Sequence, residues 1–309
     1  MIFIMRFIVF GGGGFIGSYL VKKLKLDNHY VIAIDRHLTN YVKSDADEFH
    51  VCSDIGKHIP LIPDNVDGVF QLCAQLGGSE VIDSGNQDAD MFINNMLVNI
   101  SVIKFCIKFG INNIFFASSA CVYSHNDVSI CDPVNFYGWE KYSSEKLYYA
   151  AAKQYNLNVR VGRIFNIYGP NQVFCGGKER VISALCYKAY MSTSVIRALG
   201  SGDAERSFLH VADCADAIVS IFNSNVTQPV NIGSDITTRI ADIANMIIAH
   251  THKEVVVEFA TPNQANNVRG CDNRVLRSIG WSQKIPLEDG VAEVYQFVKT
   301  SLTSIQSEK

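Results

Sequence analysis

Phe7-Ile8-Val9-Phe10-Gly11-Gly12-Gly13-Gly14-Phe15-Ile16-Gly17 is an apolar strand that runs into a glycine turn and straight on into an amphipathic helix. Glycines at 11, 14 and 17 permit a sharp turn, close approach of main-chain N–H groups to a pyrophosphate, and tight packing of helix on strand. Ser18-Tyr19-Leu20-Val21-Lys22-Lys23-Leu24 continues the helix, with Leu20, Val21 and Leu24 at core spacing. A glycine-rich turn also occurs without a ligand, so the unit that follows decides the reading. Tyr30-Val31-Ile32-Ala33-Ile34 has the pattern of a second buried strand, and Asp35 stands at its end, eighteen residues after Gly17. A carboxylate there accepts the ribose hydroxyls of an adenosine and repels a 2′-phosphate, which favours NAD over NADP; Arg36 beside it offsets part of that repulsion. Gly11, Gly14, Phe15, Ile16, Gly17 and Asp35 are the cofactor contacts this unit offers.

The 309 residues are 48% hydrophobic, enough for a doubly wound α/β domain with a smaller lobe. A net charge of −3 with both signs interspersed provides no broad basic surface, which argues against nucleic acid as a partner. Met1 to Met5 is apolar, but Arg6 interrupts it and the glycine turn follows at once. That leaves no room for a signal peptide, and the stretch reads as the first strand. No later apolar run is expected to reach the roughly eighteen residues of a membrane span. The nine cysteines, at 52, 73, 106, 121, 131, 175, 186, 214 and 271, lack the paired spacing of a zinc site or a disulfide framework. Reduced thiols in a cytoplasmic protein without a metal are the simplest reading.

Further along, Phe49-His50-Val51-Cys52 forms a short third strand, and Asp54-Ile55 follows where an adenine can rest, the carboxylate accepting its amino group and the isoleucine packing on its face. A strand end and turn is the plainer reading of that dipeptide. Val66 to Ala74 is a fourth strand whose carboxyl end opens onto Gln75-Leu76-Gly77-Gly78-Ser79, and ligands of parallel sheets bind beyond such ends. Met91 to Lys108 has helical period, with Phe92, Met96, Ile100, Ile103 and Ile107 on one side. Within it Asn95 can reach the cofactor, although an asparagine in a helix is commonly a surface residue. Ile114-Phe115-Phe116-Ala117 is the fifth strand and delivers Ser118-Ser119-Ala120-Cys121-Val122-Tyr123 to the same carboxyl edge.

Tyr137-Gly138-Trp139-Glu140-Lys141 opens a helix running to about Tyr155. The four-residue separation puts Tyr137 and Lys141 on one face. A neighbouring ammonium favours the phenolate, so the tyrosine can take a proton near neutral pH. Tyr and Lys four apart also occur by chance on surface helices; the upstream cradle and Ser119 at the preceding strand end favour the catalytic reading. In it Ser119 shares the proton of a substrate hydroxyl with Tyr137 as hydride leaves to a nicotinamide. Asn158 to Phe165 is a sixth strand ending in Asn166-Ile167-Tyr168-Gly169-Pro170. Beyond it come loops and short elements, with helices near 179–191, 211–223, 239–251 and 287–302 and a strand at Pro229–Ile232. Domains of 1–170, binding the cofactor, and 171–309, mainly binding substrate, are expected, with some later segments returning to the first.

Taken together, the cradle, Ser119, Tyr137 and Lys141 resemble the extended short-chain dehydrogenase/reductase family, in its branch of NAD-dependent sugar-nucleotide epimerases and dehydratases, over nearly the whole chain. Longer strings are similar to the GDP-mannose 3,5-epimerases: Gln75 to Gly78, Ser118 to Tyr123, Gly162 to Pro170, Gly176 to Arg180, Arg206 to Phe208, Asn231 to Asp235 and Val268 to Gly270. The resemblance implies that Tyr137 promotes oxidation at C4 of a bound GDP-manno sugar, the ketone acidifying C3 and C5, and that Cys121 is one acid/base there. The family's second acid/base is the lysine ending a Gly-Gly-Arg-Glu-Lys string. Here the string is Gly176-Gly177-Lys178-Glu179-Arg180, with the cations exchanged. Arginine is a poor acid or base, so either Lys178 reaches in or exchange at one face is lost. In the latter case the enzyme is a C4 dehydrogenase of a GDP-hexose or GDP-heptose that releases a 4-keto sugar; a C4-epimerase and an NAD-binding regulatory protein are the remaining readings. Gln71, where relatives often carry histidine, is another departure. The resemblance also implies substrate contacts from Gly77, Gly78, Asn166, Lys178, Arg180, Arg206 and Arg269, and a homodimer through helices near 91–108 and 138–155.

Overall fold

A computed structural model describes residues 4–37, 43–60, 65–75, 85–124, 128–177, 179–251, 253–260 and 268–307. It divides into two compact units, one of 1–164, 214–232 and 273–281, the other of 165–213, 233–272 and 282–309.

The first unit is built on seven parallel strands. In chain order these are β1 (Arg6–Phe10), β2 (Tyr30–Asp35), β3 (Glu48–Val51), β4 (Gly68–Gln71), β5 (Asn113–Ser119), β6 (Asn158–Ile164) and β10 (Val230–Ile232). Their spatial order is β10-β6-β5-β4-β1-β2-β3. Every pairing is parallel, so this is a doubly wound Rossmann sheet, and its strand order reverses between β1 and β4, where such sheets bind ligands. Among the described residues the first strand starts at Arg6: Ile4 and Met5 are exposed and lie outside it, although the Met5 carbonyl accepts the Tyr30 N–H at 2.8 Å, and 1–3 lie outside the described residues.

Three helices of this unit position the site. In α1 (Phe15–Leu26), Gly17, Leu20, Val21 and Leu24 are buried, the spacing the sequence predicts. Helix α2 (Asp88–Phe109) opens with Asp88 and Asp90 and stops at Gly110, whose φ of 67° suits glycine. Helix α3 (Phe136–Tyr155) is capped by Asn135, whose side chain accepts the Gly138 N–H at 2.9 Å.

Contrary to expectation, α2 is long and apolar enough to cross a membrane by length and composition alone. Its buried side belongs to a protein core, however, because it carries Asn95 and Asn99 hydrogen-bonded to Glu140. That side also differs from the expected one. Met91, Asn95, Asn99, Val102 and Cys106 are buried, as is Ile103 of the expected side, while Phe92, Met96, Ile100 and Ile107 are only partly covered.

The second unit holds β7 (Asn166–Tyr168), β9 (Glu205–His210), β11 (Thr237–Arg239) and β13 (Val268–Arg269) in one small sheet, and β8 (Val195–Ala198) paired with β12 (Val256–Phe259) in another. Its helices include α4 (Val181–Met191), α6 (Ile240–Ala249) and α8 (Leu287–Ser307); most of α5 (Val211–Phe222) and the short α7 (Arg274–Ser278) belong to the first unit.

Candidate active site

At the carboxyl end of β1, Gly11 has a φ of +83°, and a Cβ on Gly17 would fall on the Gly11 carbonyl oxygen. Both positions therefore require glycine. Helix α1 starts at Gly14 with no side-chain cap and no acidic residue in its first turn, an N-terminus electrostatically suited to an anion. Phe15 and Ile16 are the first residues of that helix and are partly buried. Asp35, ending β2, accepts the Gly13 N–H at 3.0 Å and the Arg36 N–H at 2.6 Å, so the carboxylate stands against the glycine turn. Asp54 lies in a groove lined also by Val51, Ser53, His58 and Pro60. Its hydrogen bond with Lys57, at 2.9 Å, holds the carboxyl below its usual range. Ile55 is a core residue, 5% exposed.

The proton-transfer candidates gather at the end of β5 and the start of α3. Ser119 ends β5 and accepts the Cys121 N–H at 3.2 Å, closing a single 3-10 turn over Ala120–Val122. A Cβ on Gly138 would fall on the Cys121 carbonyl, so this glycine lets the first turn of α3 lie directly on the cysteine's backbone. Tyr137 and Met91 form a small buried cluster with Cys121 packed against it. Lys141 is 2% exposed; its Nζ donates to the Ala117 carbonyl at 3.3 Å and lies 5.7 Å from the centre of the Tyr137 ring. Ser119, Cys121, Tyr137 and Lys141 thus share one corner.

Sequence reasoning missed what lies beneath. Glu140 is fully buried and accepts from Ser144 Oγ at 2.8 Å, Asn99 Nδ2 at 3.2 Å and Asn95 Nδ2 at 3.3 Å. Asn95 also accepts the Gln75 N–H at 2.6 Å and donates to the Gln75 carbonyl at 3.2 Å. Its amide is therefore occupied in tying the segment after β4 to α3. Gln71, buried on β4, donates to Asn99 Oδ1 at 3.0 Å.

A second buried pair braces the same corner. Arg163 of β6 donates from Nε and Nη2 to both oxygens of Glu145, at 2.9 and 2.7 Å, and from Nη1 to Tyr123 at 2.9 Å. Ser118 Oγ donates to Glu145 at 2.5 Å, and Tyr123 donates to Asn231 of β10 at 2.7 Å. Burial opposes the Arg163 charge, but the Glu145 hydrogen bonds outweigh it and strengthen its hold on the proton.

In the second unit, Arg206 and Arg269 are register partners in the parallel β9–β13 pairing and so project to one face. Asn166 pairs with Phe208, two residues along β9, which puts it on that face too; its amide donates to the Ser207 carbonyl at 3.0 Å. Burial lowers the pKa of Arg206. Arg180 stands at the N-cap of α4, just after Glu179, which accepts the Gly177 N–H at 2.7 Å. Gly77, Gly78 and Lys178 lie outside the described residues.

The family model described as the NAD dependent epimerase/dehydratase family matches residues 7–233. The chain belongs to this family. GDP-mannose 3,5-epimerase 1 of Oryza sativa subsp. indica is 30% identical over 314 residues, covering 96% of this chain and 82% of its own. Among solved structures, the UDP-glucose 4-epimerase of Thermotoga maritima with UDP-glucose superposes at a TM-score of 0.84 (24% identity, 96% of this chain and 100% of that one). The NAD complex of the Thermus thermophilus UDP-glucose 4-epimerase gives 0.79 (20% identity, 96% and 99%). As a member of the epimerase/dehydratase family the protein is an NAD-dependent enzyme. The Gly11–Gly17 cradle, the uncapped start of α1 and the carboxylate of Asp35 fit NAD.

Proposed function

We propose that this enzyme modifies a nucleotide-linked sugar by transient oxidation at C4, and that its substrate is a GDP-manno sugar epimerised at C3 and C5. The observation that carries the reading is the packing of Cys121 against Tyr137, in a chain 30% identical to a GDP-mannose 3,5-epimerase across 96% of its length. An oxidising tyrosine and a thiol at one corner suit proton removal beside a newly formed ketone.

NAD held in the Gly11–Gly17 cradle would supply the hydride chemistry of the oxidation and of its reversal. In the oxidation, Tyr137 Oη takes the proton of the C4 hydroxyl, Lys141 favours the phenolate by its charge, and Ser119 Oγ hydrogen-bonds the same hydroxyl. The ketone at C4 acidifies the neighbouring C–H bonds. Cys121 Sγ moves a proton at one face of the ring, and Lys178 is the residue we assign to the other. Arg206 and Arg269 take the diphosphate oxygens as paired guanidiniums, with Asn166 beside them, and Arg180, Gly77 and Gly78 complete the substrate contacts. Gly11, Gly14, Phe15, Ile16, Gly17, Asp35 and Asp54 hold the cofactor. The exposed Ile93 and Leu97 of α2 and Phe136 and Trp139 of α3 are where a second copy packs to form a homodimer.

The exchanged cations in Gly176-Gly177-Lys178-Glu179-Arg180 favour one second reading, a C4 dehydrogenase that releases a 4-keto sugar. Incubation with GDP-mannose and product analysis by NMR separates them. C3 and C5 epimers support the proposal, whereas a 4-keto sugar with stoichiometric NADH supports the dehydrogenase. Turnover of UDP-sugars alone would refute the GDP assignment.

A further inference from the structure

Glu140 is a carboxylate with no access to water, one residue before Lys141 and three after Tyr137. Ser144, Asn99 and Asn95 all donate to it, so both of its oxygens serve as acceptors. Its charge needs a counterion, and Lys141 Nζ lies 3.9 Å away. Lys141 is itself 2% exposed; its further neighbours are the Ala117 carbonyl and the ring faces of Phe116, at 5.1 Å, and Tyr137. The carboxylate and the phenol therefore approach one ammonium.

We propose that Glu140 is a positioning residue for proton transfer at Tyr137: its buried carboxylate holds Lys141 Nζ in place beside the phenol without touching substrate. The proposal rests on the reading of Tyr137 as the proton acceptor. The other buried charges at this corner are Glu145, one turn after Lys141 on α3, and Arg163 of β6, which are matched to each other at 2.7 Å. From the segment after β4 comes Cys73, whose thiol burial pushes up and keeps neutral. From β5 come only the Ala117 carbonyl and the Phe116 ring, and from α2 the uncharged Asn95 and Asn99. On α3 itself Tyr148 faces Glu140, and burial holds its phenol protonated. Because Asn95 also grips Gln75, the carboxylate is fixed to the segment leaving β4 as well as to α3.

The test is Glu140→Gln, which keeps the shape and one acceptor oxygen and removes the charge, with Glu140→Asp, which keeps the charge and both acceptor oxygens. Lysine-labelled protein is titrated by NMR without substrate, the Lys141 signal being assigned by its absence in Lys141→Met. In Glu140→Gln the ammonium is lost at a pH lower by about two units, from a unit charge at this distance in a partly polar interior. Glu140→Asp stays near the parent. The alkaline limb of the pH–kcat profile moves in the same direction, while KM for the sugar nucleotide changes less than about twofold. An unshifted Lys141 titration in Glu140→Gln, or the same shift in both variants, overturns the proposal. If Glu140→Gln does not fold, Glu140→Asp decides: a Lys141 titration like the parent's supports the charge role, and a lowered one refutes it. The NMR titration needs no substrate; if Lys141 responds as expected while Tyr137→Phe retains full turnover, the reading of Tyr137 fails and the electrostatic coupling stands.

Discussion

Replacing Arg163 by methionine removes three hydrogen bonds at once: two to Glu145, at 2.9 and 2.7 Å, and one to Tyr123 at 2.9 Å. It leaves Glu145, 1% exposed, with Ser118 as its remaining hydrogen-bond donor in the pair. An unpaired buried carboxylate costs far more than the pair gains, so Arg163→Met is expected to destabilise the protein by about 3–5 kcal/mol. The double variant Arg163→Met with Glu145→Leu removes both charges and should recover most of that loss. Urea unfolding of the parent, both single variants and the double variant at neutral pH measures the cycle. Because Ser118 and Tyr123 flank Ser119 and Cys121, the single variant should also lose turnover under conditions where it remains folded. An Arg163→Met loss below about 1 kcal/mol, or additive losses in the double variant, would refute the reasoning.

Three other outcomes follow from single sites. His210 is buried, its Nδ1 accepts the Ala212 N–H, and burial pushes its pKa down to about 4 despite the water-exposed Glu293 carboxylate 3.4 Å away. The unfolded chain takes this proton first, so stability present above about pH 6.5 falls by up to about 3 kcal/mol as the pH drops towards 4, and His210→Asn should flatten that slope in pH-dependent unfolding. Gly17→Ala forces a Cβ onto the Gly11 carbonyl and should weaken NAD binding at least about tenfold by calorimetry. Tyr137→Phe should lower kcat about 10²–10⁴-fold while NAD affinity changes little; unchanged turnover would remove Tyr137 from the chemistry.

The cradle and the parallel sheet are legible in the sequence because each signal is local: Phe7 to Gly17 carries its strand, turn and helix within one stretch. The Tyr137–Lys141 face follows from helical spacing in the same way. The buried face of α2 is not legible, because hydrophobic periodicity finds only apolar faces and this one is centred on Asn95 and Asn99. Their burial depends on Glu140, more than forty residues later in the chain. Glu145 and Arg163 likewise look like ordinary charged positions until the α3–β6 packing brings them together. The shortest strands, such as Val268–Arg269, are too brief for any period, yet register along β9 is what sets Arg269 opposite Arg206.

The most direct measurement of the central claim is turnover of GDP-mannose in deuterated water, with the sugar recovered and read by NMR. Deuterium at C3 and C5 in the parent, lost at one of those positions in Cys121→Ser and at both in Tyr137→Phe, is the predicted result. Conversion that leaves C3 and C5 free of deuterium would contradict the account.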